Sequence, residues 1–236
     1  MSSPICLDSS DALPRELSKR LENYRQIFKT EQCLESVLRR HEVRKIADDL
    51  ETYLKQQRIR GYHCTKEPYP DYFKKHGLRT TNVWAHQAEF LKNFGDRFSA
   101  REIVTIQTAW TNYFEHEGQR KLRDGNVWVC LSRTLINDSG TKNFIRYFGG
   151  EAIFWPLMEM PSILAKLAKI GTPVIVEVDL PGGSLNSKYP MSHAVLSNFH
   201  VGIRPDAYTY ESEACLTHTV PPLEIICVTA LNQFQS

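Results

Sequence analysis

Apolar residues recur at helical spacing through the first quarter of the chain. Leu17, Leu21, Tyr24, Ile27 and Phe28 follow Pro14 at this interval, and Leu34, Val37, Leu38, Ile46, Ala47, Leu50, Tyr53 and Leu54 carry it on. Charged residues such as Lys19, Arg20, Glu22, Arg39, Arg40, Arg44 and Lys45 fill the remaining faces. This is the pattern of amphipathic helices with one stripe to bury. It predicts a helical hairpin through residue 57 as an N-terminal appendage, leaving 58–236 as the main domain.

The period changes at Arg60-Gly-Tyr-His-Cys-Thr65, which reads as a strand, followed by Pro68, Pro70 and a short helix from Tyr72 stopped by Gly77. Two inserted amphipathic helices come next. One carries Trp84, Ala88, Leu91 and Phe94 up to Gly95; the other opens at Ser99 with Glu102 completing a capping box and carries Ile103, Ile106, Trp110, Tyr113 and Phe114. Beyond Asp124-Gly125 the runs are short, rich in β-formers and bounded by turn residues. Strands are predicted at Val127–Leu131, Ala152–Trp155, Pro173–Val178, Tyr208–Leu216 and Ile225–Thr229, with one helix at Ser162–Ile170 closed by Gly171. Helices first and strands later predict an α+β domain, not a doubly wound parallel sheet.

Composition narrows the function classes. With 42% hydrophobic, 11% aromatic and 24% charged residues the chain can bury a core, which excludes wholesale disorder. The balance of 29 Lys+Arg against 27 Asp+Glu leaves a charge of +2, which is no signature of a broad duplex-binding surface. The cysteines Cys6, Cys33, Cys64, Cys130, Cys215 and Cys227 have neither C-x-x-C nor zinc spacing, so free thiols in a reducing cytoplasm and no metal are expected. No run approaches the roughly 18 apolar residues of a membrane span, and no export signal is read at the start.

Motifs for dinucleotide binding on a Rossmann frame, P-loop phosphoryl transfer, zincin proteolysis and the α/β-hydrolase reaction are absent. Three places could carry sparser chemistry. Tyr62-His63-Cys64-Thr65 ends a strand before a proline-rich loop; Arg146-Tyr147-Phe148-Gly149-Gly150-Glu151 has paired glycines that allow close backbone approach; Tyr210-Glu211-Ser212-Glu213 puts two carboxylates on one strand face. Taken singly, each also reads as ordinary structure: a locally satisfied histidine, a hairpin entry, an exposed strand face.

Taken in order, they resemble the ADP-ribosyltransferase superfamily. The resemblance rests on the histidine-threonine strand, the short helix closing in Gly77-Leu78, and the middle strand Val127-Trp-Val-Cys-Leu-Ser132 leading to Tyr147. It is completed by the E-x-E strand before Val220-Pro221-Pro222-Leu-Glu-Ile225. It spans about residues 58 to 230 and implies a split antiparallel β-sheet core. It also implies a reaction with NAD as substrate, in which Glu213 stabilises the cation that forms on the ribose and Glu211 activates the acceptor. His63 would hold the adenosine-side ribose through a neutral imidazole, Thr65 would support it or bond the cofactor directly, Tyr147 would stack on nicotinamide, and Ser132 would help position the nicotinamide ribose. Glu151, beside Tyr147, competes with Glu213 as the key carboxylate.

The resemblance implies a macromolecular acceptor, protein, RNA or DNA, and the role of a bacterial toxin or phage-defence effector, with room for an antitoxin or chaperone. Arg60, Lys66, Lys74, Lys75, Arg79, Arg120, Lys121 and Arg123, interleaved with aromatics, could line a single-strand channel or simply form a solvated face. An RNA 2′-phosphotransferase is disfavoured for want of a basic cluster around the core strands. The competing reading is a non-catalytic interaction protein that binds its partner through the helical hairpin.

Overall fold

The structure is a computed structural model that describes residues 3–9, 12–137, 139–210 and 212–231. The chain begins with α1 (Arg15–Glu22), α2 (Arg25–Thr30), α3 (Leu34–Val37) and α4 (His41–Lys55), then enters β1 (Arg58–Glu67). α5 (Tyr72–His76), α6 (Val83–Phe94), α7 (Ala100–Thr111) with a π-helical turn at Asn112–His116, and α8 (Arg120–Arg123) precede β2 (Val127–Cys130). α9 (Ser139–Arg146), α10 (Gly150–Ile153) and α11 (Pro161–Leu167) lead to β3 (Thr172–Pro181) and β4 (Asn186–Ser187). α12 (Met191–Ile203), β5 (Glu213–Leu216) and β6 (Ile225–Ala230) complete it. The strands form a sheet in the order β4-β5-β2-β1-β3-β6; β1 runs antiparallel to β2, with Tyr62 opposite Cys130, and β4 antiparallel to β5. The fold is α+β.

The chain divides into two compact units, one of Met1–Tyr62, Val129–Ile136 and Val178–Cys215, the other of His63–Trp128, Asn137–Glu177 and Leu216–Ser236. β1, β2, β3 and β5 each run from one unit into the other.

In the first unit the helical stripe works as the sequence predicts, but on four helices instead of a hairpin. Leu21, Phe28, Leu34, Val37, Val43, Ile46, Leu50 and Leu54 are buried. Each such side chain gains roughly 1.5–3 kcal/mol relative to exposure. α12 packs against α2, α3 and α4; no element was predicted for it, because Met191, Ala194, Val195, Leu196 and Ser197 are all buried and leave no clean amphipathic stripe. His200, also buried, donates from Nε2 to the Phe28 and Glu31 carbonyls, each at 2.9 Å, and so satisfies acceptors left over at the end of α2.

The second unit is built on aromatics: Phe90, Phe98, Trp110, Phe114, Tyr147, Phe148 and Phe154 are buried together with Ile163, Leu167 and Ile170. Trp110 donates from Nε1 to the Ile153 carbonyl at 2.9 Å. The capping box at Ser99 and Glu102 forms as predicted, and Gly77 ends α5 at φ 68°. Two predicted strands require correction. Ala152–Trp155 is not a strand: Gly149 and Gly150, at φ 91° and 62°, turn the chain into α10, and Ala152, Ile153 and Phe154 are all buried. The strand predicted over Tyr208–Leu216 shrinks to β5, because Tyr208 and Tyr210 are bonded to groups outside the sheet.

Candidate functional site

β1 alternates the faces to which it sends its side chains, so His63 and Thr65 share one face. The His63 ring places Nδ1 2.8 Å from the Trp128 carbonyl. A carbonyl only accepts, so Nδ1 carries the hydrogen and Nε2 is left as a lone pair. Burial lowers the imidazole pKa against the weaker opposing effect of that carbonyl, which keeps the ring neutral at pH 7. Phe73 of α5 meets the ring edge to face at 6.3 Å, and the Phe73 amide donates to Glu67 Oε1 at 3.3 Å, so α5 is pinned beside this face.

The opposite face of β1 carries Lys66, whose ammonium, only 3% exposed as a residue, donates to the Ala168 and Arg146 carbonyls at the ends of α11 and α9. Burial lowers its pKa to about 8. Sequence reasoning placed Lys66 among surface cations, and nothing in its neighbours signals otherwise.

Just past the end of β2, the Leu131 amide donates to the Ser212 carbonyl at 2.7 Å, so Ser132 and Glu213 each follow a residue of this backbone hydrogen bond. Glu213 opens β5 and is exposed. Ser132 is buried; its hydroxyl accepts from the Thr134 amide at 3.1 Å and lies 3.3 Å from Asp8 Oδ2, whose other contact is the Arg133 amide at 2.8 Å. Ser132 therefore builds a turn. Glu211 lies outside the described residues.

Tyr147 is part of the aromatic core, 5.6 Å from Phe154, with the Arg146 guanidinium over its ring at 5.3 Å. Glu151 is ion-paired with Arg123, whose Nη2 lies 3.1 Å from Oε1. The structure thus groups the predicted residues in two pairs, His63 with Thr65 and Ser132 with Glu213, and gives Tyr147 and Glu151 packing and pairing roles. Several of the basic residues are also paired: Arg60 with Asp179, Lys74 with Asp71, Arg79 with Glu89 and Arg120 with Asp124.

A groove of about 420 Å³ along α7 and its π-helical turn is lined by Thr105, Thr108, Asn112, Tyr113, Glu117 and Pro156 and contains none of the predicted residues. Among the described residues no group of three His, Cys, Asp or Glu could hold a metal, and no helix is long and apolar enough to cross a membrane. No family model, no curated protein and no solved structure matches the chain.

Proposed function

We propose that the chain is an NAD-dependent ADP-ribosyltransferase acting on a macromolecular acceptor. The observation that carries this reading is the state of His63: neutral, with Nδ1–H committed to the Trp128 carbonyl and Nε2 left as an acceptor on the face shared with Thr65. A ribose presents hydroxyl donors, and such an imidazole with a neighbouring hydroxyl is built to receive them. Further support comes from β5, which Glu213 opens in an exposed position; the strands themselves form one six-stranded sheet and not a split core.

In the reaction the bond between ribose C1′ and the nicotinamide nitrogen breaks, and its electron pair leaves with nicotinamide. The ribose passes through an oxocarbenium-like state, which a carboxylate stabilises, as in glycoside hydrolysis. Glu213 takes that role. The acceptor then forms its bond to C1′ and loses a proton, for which Glu211 is the base. Tyr147, buried in the core, is left out of this scheme, and Ser132 acts through its turn. The interaction-protein reading has less support, because apolar residues of α1 to α4 such as Leu21, Phe28, Leu34, Ile46 and Leu50 are already buried.

Labelled NAD incubated with separate protein, RNA and DNA pools tests the proposal. It predicts label in one pool with the wild-type chain, and loss with Glu213→Ala and with His63→Ala. Absence of label from every pool would overturn it.

A further inference from the structure

The segment that leads into Glu213 is held by side chains, and those side chains come from α12 and the N-terminal helices. The Tyr208 amide donates to the Gln32 carbonyl at 3.0 Å, and Gln32 Nε2 donates to the Asp206 carbonyl at 3.4 Å. Ser197 lies in the middle of α12 and is buried. A mid-helix serine ordinarily points to solvent or bonds back to its own helix. This one reaches across to the segment: its hydroxyl accepts from the Tyr210 amide at 3.1 Å and donates to the Tyr208 carbonyl at 3.5 Å.

The Tyr210 ring packs edge to face against Tyr189 at 5.0 Å and His193 at 5.3 Å. Glu35 of α3 interacts with the Tyr210 hydroxyl, which lowers the carboxylate pKa and adds to burial in raising that of the tyrosine. One residue beyond Glu211, the Ser212 carbonyl accepts from Leu131. The chain is thus held at Tyr210 and at Ser212, although β5 itself begins only at Glu213.

We infer that Ser197, Glu35 and Tyr210 are positioning residues that fix the approach to Glu213, which makes the N-terminal helices part of the catalytic apparatus. This rests on the ADP-ribosyl transfer reading above. The clamp acts on the carboxylate strand and leaves His63 and Thr65 untouched. Loosening it should therefore lower turnover without weakening capture of NAD.

The test uses the full chain with Ser197→Ala, Ser197→Thr and Tyr210→Phe. Backbone amide exchange is read at 208–213, and steady-state ADP-ribosyl transfer is measured as kcat and KM for NAD. Ser197→Ala removes the acceptor of the Tyr210 amide. Its exchange should accelerate by about fivefold, the factor that corresponds to one hydrogen bond, while amides in α4 are unchanged. In the same variant kcat should fall by about tenfold at constant KM, and Ser197→Thr, which keeps the hydroxyl, should restore both. Tyr210→Phe should show a smaller loss of the same kind.

Unchanged exchange at 208–213 in Ser197→Ala would overturn the clamp itself. Faster exchange with unchanged kcat would overturn its positioning role. A wild-type chain that transfers nothing would remove the catalytic reading and with it the purpose assigned to the clamp, while the exchange data would still report whether the clamp exists.

Discussion

Gly77 ends α5 against the turn before β6, and replacing it with alanine should be among the most damaging single-atom additions in the chain. Its φ of 68° and ψ of −162° lie in a region that is essentially restricted to glycine, where another residue pays about 1–3 kcal/mol. A Cβ there would stand inside contact distance of the Val220 carbonyl and 3.1 Å from the Pro221 carbonyl carbon, so the backbone of the Val220-Pro221-Pro222 turn would have to move. That motion disrupts an isolated bridge in which Leu78 and Val220 exchange hydrogen bonds of 2.9 and 2.8 Å, each worth about 1 kcal/mol. The sum is a loss of about 3–5 kcal/mol, a large share of the roughly 5–15 kcal/mol that ordinary domains possess. Gly95→Ala is the control: Gly95 has φ −59° and ψ −30° and nothing within 4 Å of an added Cβ, so it should be neutral or stabilising by about 0.4–1 kcal/mol. Urea unfolding followed by circular dichroism measures both. A Gly77→Ala loss below about 1 kcal/mol would refute the reasoning.

Other consequences follow from single side chains. Lys66 has a folded pKa of about 8, below the 10.4 or so of a free lysine, so the unfolded chain binds its proton more tightly. Stability should therefore rise as pH increases from about 8 toward 10, and the rise should be absent in Lys66→Met when unfolding is compared at pH 7.5 and 9.5. Glu102 is held down to about 2 by Lys166 and then by Ser99. Its contribution is present above the ordinary carboxylate range and lost as pH falls through about 2; Glu102→Gln should flatten the acid limb of the stability profile. Ser99→Ala removes the cap of α7 and should cost about 1 kcal/mol in thermal or urea unfolding.

What the sequence revealed and what it hid have physical causes. α6, α7 and the Gly77 stop were legible because capping and the apolar period are local: Ser99 and Glu102 are three residues apart, and Asn82 caps its own helix through the Ala85 amide. β3 and β6 announced themselves by β-branched runs between turn residues. α10 was misread because a short apolar run is ambiguous between strand and helix, and the deciding feature, two consecutive glycines at positive φ, leaves no periodic trace.

α12 escaped because it is buried nearly all round. The candidate site was half legible. His63 and Thr65 share a face by simple alternation, whereas the burial of Tyr147 depends on Phe154 and on packing that only the folded chain supplies. The grip of Ser197 on Tyr210 joins residues thirteen apart in sequence across a helix end, and no local pattern encodes it.

The proposed transfer from NAD stands or falls with the Glu213 carboxylate. The most direct measurement is release of nicotinamide from NAD coupled to label on an acceptor pool, comparing wild type with Glu213→Gln, which keeps the shape of the side chain and removes its charge. The account predicts label and stoichiometric nicotinamide from the wild type, and a loss of at least about a hundredfold in both from the variant, the scale of one electrostatic partner at a developing charge. Equal rates for the two proteins would contradict it.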